Sequence, residues 1–96
     1  MTVIADRFER LNTLKINVGS HTSFDNGHCA MEIVAWLAGE PHSIWPLCVC
    51  QVIGSFVVTL NDRIPTDELR TRLLLPILPR LVGSASVKRE TVMKRL

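Results

Sequence analysis

The chain lacks tyrosine, and its only aromatic residues are three phenylalanines and two tryptophans. With so few rings available, the core must be built mainly from aliphatic side chains, and 47% of the residues are hydrophobic. A chain of 96 residues buries only roughly 60–65% of its unfolded surface. We therefore expect one domain with one aliphatic core.

Long hydrophobic runs are also missing. No run reaches the roughly 18 apolar residues that cross a bilayer, and residues 1–10 lack the apolar stretch of a signal peptide. The cysteines, Cys29, Cys48 and Cys50, are odd in number, which argues against a disulfide framework. These absences predict a cytoplasmic protein with reduced thiols and no membrane partner.

The motifs of common catalytic sites are absent too. The sequence has no glycine-rich phosphate loop, and none of its serines lies in a Gly-x-Ser-x-Gly context. We therefore expect that the protein is not an enzyme and carries no cofactor.

Charge is unevenly distributed along the chain. Residues 1–85 hold seven basic and eight acidic side chains, a net charge of −1, whereas residues 86–96 hold four basic and one acidic, a net charge of +3. We predict a single helical domain over 1–85 and a basic helical tail over 86–96. Nucleic-acid binding through the tail is a weaker alternative function, because short charged runs are usually just exposed to solvent. Its cations are Lys88, Arg89, Lys94 and Arg95.

Hydrophobic periodicity predicts an all-α fold, a compact bundle of four to five short helices. Ile4, Phe8 and Leu11 recur at helical spacing, and the alternation in residues 14–18 suits one short extended segment. A central helix is expected at about 26–38, with Ser23 or Asp25 as its N-cap and Gly39 as its stop. It is apolar on nearly every face, so we expect the rest of the protein to surround it.

The second half of the chain predicts two further helical segments. Residues 47–60 are almost wholly apolar and read as a helix ended by Asn61, although the β-branched run at 56–59 also suits a strand. Thr66 begins the next helix, with Leu69, Leu73 and Ile77 on one face. The prolines at positions 76 and 79 predict a kink near residue 75.

An ordered string of motifs resembles a group of uncharacterised actinobacterial and actinobacteriophage proteins. It comprises DNGHCAMEIVAWLAGEPHS at 25–43, PLCVC at 46–50, Asn61-Asp62, and RLLLPILPRLVG at 72–83. The resemblance covers roughly residues 10–85 and implies a bacterial or phage cytoplasmic setting without any particular activity. Members of the group commonly read Ser-Asp-His-Pro where this chain has Ser43-Ile44-Trp45-Pro46, so a site formed by that Asp-His pair would be lost here.

Glu32 is the only charged residue between Cys29 and Ala38. A buried carboxylate needs a partner, because desolvating an unpaired charge is costly. We expect an ion pair with Arg72 or Arg80, or hydrogen bonds from backbone N–H groups of the turn. A role as general base or metal ligand is the alternative.

One set of side chains offers metal ligands: His28, Cys29, His42, Cys48 and Cys50. Zinc sites usually pair cysteines as C-x2–4-C, whereas this chain has C-x-C and an adjacent His-Cys whose side chains point about 100° apart on a helix. Packing of buried thiols is the preferred interpretation, and a small zinc protein is the alternative function.

Ile44 and Trp45 lie in a turn between two prolines. Trp45 either covers the core or, if exposed, anchors an interaction. The preferred hypothesis is a non-catalytic interaction protein that binds a host or self partner, with homo-oligomerisation as its natural form. Two nearly all-apolar helices are difficult to bury in so short a chain.

Overall fold

The computed structural model describes residues 3–85, and within that range it contains helices and no strand. The all-α prediction is therefore confirmed. None of the helices in this range is long and apolar enough to cross a membrane. The predicted basic tail, with Lys88, Arg89, Lys94 and Arg95, lies outside the described residues. The α-helices are α1 (Ala5–Arg10), α2 (Ala30–Ala38), α3 (Gln51–Arg63), α4 (Asp67–Leu74) and α5 (Leu78–Leu81).

Helix α2 forms the centre of the bundle and packs against α1, α3 and α5. Seven of its nine residues are buried, which confirms the prediction of a surrounded central helix. It ends at Gly39, whose left-handed φ of 74° is a conformation that glycine adopts without strain. An added Cβ there would also lie 2.9 Å from Cδ1 of Ile4, so the N-terminal segment packs directly on this turn.

The predicted start of the central helix was wrong. Residues Phe24–Asn26 form a separate 3-10 turn, and Gly27, with φ of 126°, breaks the chain direction before α2 begins. The N-cap is Cys29, not Ser23 or Asp25. A capping box that pairs Cys29 with Glu32 takes the place of the expected polar cap.

The predicted helix at 47–60 is helical rather than extended from Gln51 onward, and it begins and ends later than predicted. The backbone N–H groups of Leu47 and Cys48 donate to the Glu40 carboxylate, at 2.6 and 2.9 Å, so these residues form a turn instead of the first helical residues. At the other end, Asn61 lies inside α3 and is buried. Its Oδ1 accepts a hydrogen bond from the N–H of Ala30 at 3.0 Å, which joins α3 to the start of α2.

Thr66 caps α4 as predicted, its Oγ1 accepting from the N–H of Leu69. The kink is also confirmed, since a 3-10 turn at Leu75–Ile77 separates α4 from α5. The predicted face was wrong, however, because Leu73 and Ile77 are exposed while Arg70 and Leu74 are buried. The cause is Arg70, which turns inward to bond backbone carbonyls of the preceding loop and helix.

The segment around Ile16, predicted as extended, crosses the bundle without joining a sheet. The Ile16 side chain is fully buried, and its N–H donates to Thr71 Oγ1 of α4 at 2.8 Å. Asn17 continues the connection, since its N–H donates to the carbonyl of His28 at 2.8 Å. This segment therefore links α4 to the turn that precedes α2.

Candidate functional site: a buried glutamate between two histidines

The best-defined polar site in residues 3–85 surrounds Glu32, in the first turn of α2. The residue is 1% exposed, and its carboxylate accepts three hydrogen bonds and contacts a further histidine nitrogen. Oε1 accepts from the N–H of Cys29 and from Nδ1 of His21, both at 2.8 Å. Oε2 accepts from the N–H of His21 at 2.8 Å and lies 2.9 Å from Nε2 of His42. Each oxygen therefore has a backbone N–H donor and a histidine ring nitrogen within 2.9 Å.

The partners of Glu32 correct the sequence-based expectation. Arg72 and Arg80, the predicted ion-pair partners, are exposed and make no contact with Glu32. Backbone N–H groups do serve as donors, but they are those of His21 and Cys29, before α2, and both side-chain partners are histidines. His21 was missed because it lies in an irregular polar segment, where no periodicity marks a residue as facing the core.

These hydrogen bonds determine the charge state of Glu32. Burial alone raises the pKa of a carboxyl group, but the donors on Cys29 and His21 outweigh that effect and lower the pKa of Glu32 below its ordinary value. The group is therefore ionised at neutral pH. Because Glu32 lies at the N-terminus of α2, the helix dipole also favours its negative charge.

The two histidines that contact Glu32, His21 and His42, come from different loops. Polar side chains hold the loop that carries His21 in place. Asn17 Oδ1 accepts from the N–H of His28 at 3.1 Å, and Asn61 Nδ2 donates to the carbonyl of Asn17 at 3.1 Å. On the other side, Nε2 of His42 lies 2.8 Å from the backbone oxygen of His21. The site thus joins the loop before α2, α2 itself and the turn after it.

The predicted metal-ligand set is dispersed around this site. His28 stacks on Phe24 with ring centroids 4.2 Å apart, Cys29 caps α2, and Cys48 and Cys50 precede α3. His42 contacts Glu32 instead of the thiols. Across residues 3–85, no group of three or more His, Cys, Asp or Glu side chains is arranged to hold a metal ion.

All three cysteine side chains are buried. Burial raises the pKa of the Cys29 thiol to about 12, and the adjacent Glu32 carboxylate contributes in the same direction. Burial likewise raises the pKa of Cys48, next to Glu40. Since the thiolate is the reactive form, both side chains are suited to packing rather than to nucleophilic chemistry.

The thiols should therefore react slowly in the native protein. At pH 8, a pKa near 12 instead of 9 reduces the thiolate fraction of Cys29 roughly a thousandfold. We expect a disulfide reagent such as Ellman's to modify few thiols in native buffer and all three in denaturant. Rapid native modification of Cys29, located by peptide mass spectrometry, would contradict this burial.

Trp45 is half exposed at 50%, so it does not cover the core, whereas its neighbour Ile44 packs against the core cluster.

A comparison of the chain with family models, curated proteins and solved structures finds no match.

Proposed function

We propose that the protein is a non-catalytic interaction protein whose docking surface is the outer face of α3. Helix α3 buries Gly54, Val57 and Asn61, which lie at helical spacing on its inner side. On the opposite side, Val52 and Phe56 are one turn apart and are 73% and 67% exposed. A large aromatic side chain with two thirds of its surface in water is the observation that carries this proposal.

The turn that leads into α3 extends the apolar surface. Leu47 is 88% exposed and Trp45 is half exposed. Two contacts hold this turn in place. Glu40 accepts a hydrogen bond from the Leu47 N–H, and His42 contacts the Glu32 carboxylate. Trp and other large apolar side chains on a rigid support are typical anchors of protein interfaces.

A second copy of the chain is the partner that this surface fits directly. No Asp, Glu, Lys or Arg occurs from Pro41 to Asn61. A symmetric contact between two such surfaces therefore brings no like charges together, and it matches the depletion of charge at interface cores. The resemblance of residues 25–43 to actinobacterial and phage proteins supports a bacterial setting for this association.

The test is the Phe56→Lys variant, compared with the wild type by sedimentation equilibrium at concentrations up to roughly 1 mM. We expect the wild-type mass to rise toward that of a dimer and the variant to weaken association by about tenfold or more, since a charge at an interface centre is poorly tolerated. Leu73→Lys is the matched control, because Leu73 is 53% exposed on α4, away from this surface. A wild type that remains monomeric throughout, or equal effects of both variants, would overturn the proposal.

A further inference from the structure

The hydrogen bonds around His42 fix which of its ring nitrogens carries the proton. Nε2 lies 2.9 Å from Glu32 Oε2 and 2.8 Å from the backbone oxygen of His21, and both of these atoms can only accept. The hydrogen-bond network therefore assigns the proton to Nε2. In the neutral ring, the lone pair is then on Nδ1.

Nδ1 of His42 makes no hydrogen bond within residues 3–85. The side chain is 23% exposed, and His42 is the most exposed of the three histidines. His21 differs, because its Nδ1 donates to Glu32 and its Nε2 would lie 3.0 Å from a Cβ added at Gly27. Gly27 therefore lies against the Nε2 edge of His21, whose side chain is 18% exposed.

His28 provides an internal comparison. Its Nδ1 lies 3.1 Å from the carbonyl of Phe24, and its ring stacks on the Phe24 ring. It has no carboxylate partner among the described residues. His42 is the one histidine of the three that combines an exposed position, a ring nitrogen without a hydrogen bond in the described residues, and an ionised, buried carboxylate behind the ring.

We propose that His42 is a nucleophilic modification site that accepts neutral acyl electrophiles at Nδ1, with Glu32 as the positioning residue. Attack by Nδ1 on a carbonyl carbon places positive charge on the ring, and the carboxylate beyond Nε2 compensates that charge as it forms. In catalytic sites a carboxylate often orients a histidine in this way. Here the reacting atom is Nδ1, the ring nitrogen that does not face Glu32.

The surrounding charges select the class of electrophile. The groups that face His42 are Glu32 of α2 and His21 of the preceding loop, and Glu40 lies two residues away. No Lys or Arg occurs from Pro41 to Asn61 to bind an anionic donor such as an acyl phosphate. A neutral carbonyl compound is therefore favoured over a phosphorylated one.

The chemical step is balanced with diethyl pyrocarbonate as the probe. The Nδ1 lone pair forms a bond to one carbonyl carbon, and the bond from that carbon to the bridging oxygen breaks. Ethyl carbonate leaves with the electron pair, accepts the proton that Nε2 releases through water, and decomposes to ethanol and carbon dioxide. The product is an N-carbethoxy ring.

The experiment follows this modification residue by residue, using peptide mass spectrometry at pH 7. We expect His42 of the native wild type to react roughly tenfold faster than His28, and the two rates to converge in urea. In Glu32→Gln, checked for folding by circular dichroism, the His42 rate should fall toward that of His28. NMR of the adduct should place the carbethoxy group on Nδ1.

Two results would overturn the proposal. One is a native His42 rate no greater than that of His28, which needs no variant and so does not depend on whether Glu32→Gln folds. The other is an adduct on Nε2. Neither measurement depends on self-association, provided that the protein is labelled at a concentration where sedimentation shows one species.

Discussion

Replacing Glu32 with glutamine is expected to reduce the free energy of unfolding by about 3–5 kcal/mol at neutral pH. The carboxylate accepts three hydrogen bonds, from the N–H of Cys29 and from the N–H and Nδ1 of His21, and Nε2 of His42 lies 2.9 Å from Oε2. Whichever way the glutamine amide is oriented, its NH2 group faces a backbone N–H and a histidine ring nitrogen. The lost charge also removes a favourable interaction with the start of α2.

Urea denaturation followed by circular dichroism measures this effect. Domains of this size have a total stability of only about 5–15 kcal/mol, so the variant should be near the threshold of unfolding. Glu9→Gln is the matched control, since Glu9 is exposed on α1 and should change stability by less than about 0.5 kcal/mol. Equal midpoints for the two variants would show that the buried network contributes nothing measurable.

The same pair of proteins should differ in their response to acid. Because the folded state lowers the pKa of Glu32, the stability that its ionisation contributes is fully present above the pKa of the unfolded chain. It is lost as the pH falls through the lower, folded value. The stability difference between wild type and Glu32→Gln should therefore shrink as the solution is acidified, whereas a constant difference would exclude this linkage.

Arg70→Ala is expected to have the second largest effect, about 3 kcal/mol or more. Arg70 is 2% exposed, and its guanidinium donates to the carbonyls of Asn61 and Ile64 and to the Asp67 carboxylate. It therefore satisfies carbonyl groups at the C-terminus of α3, where the helix leaves them without internal partners. In the alanine variant, those carbonyls lose their hydrogen-bond donor and face a cavity.

Arg72→Ala provides a control of the same residue type on the same helix, because Arg72 is exposed. Thermal melting should separate the two variants clearly, since about 1 kcal/mol corresponds to roughly 4–8 °C in a domain of this size. Amide hydrogen exchange should also become faster at the C-terminal end of α3 in Arg70→Ala. Similar melting temperatures for both variants would indicate that Arg70 is replaceable by water.

The features that local chemistry determines could be predicted from the sequence. The Thr66 cap, the glycine at position 39 and the prolines after residue 75 each act on their immediate neighbours, and all three took effect where expected. The start of α2 could not be predicted in this way. It depends on a cysteine cap and on a glutamate whose partners come from the loop before the helix and the turn after it.

Burial of the charged residues was the harder problem. The sequence indicated that Glu32 needs a partner, but its histidines lie 11 positions before it and 10 positions after it, in loops without periodicity. Arg70 was missed for the converse reason, since an arginine on an amphipathic helix normally faces solvent. In both cases the deciding contacts are made mostly outside the residue's own helix, by loop side chains and backbone groups, so no helical periodicity marks them.

The hydrogen bond from Ile16 to Thr71 has a consequence for how the chain folds during synthesis. It joins residues 55 positions apart, and the Ile16 side chain that it accompanies is fully buried. When α1 and α2 leave the ribosome, the segment between them can bond to the turn before α2, but its attachment to α4 must wait until α4 has followed. Such long-range closure slows folding and leaves apolar surface open meanwhile. The partly synthesised chain that ends before α4 is thus the species with the most exposed apolar surface for a chaperone to bind.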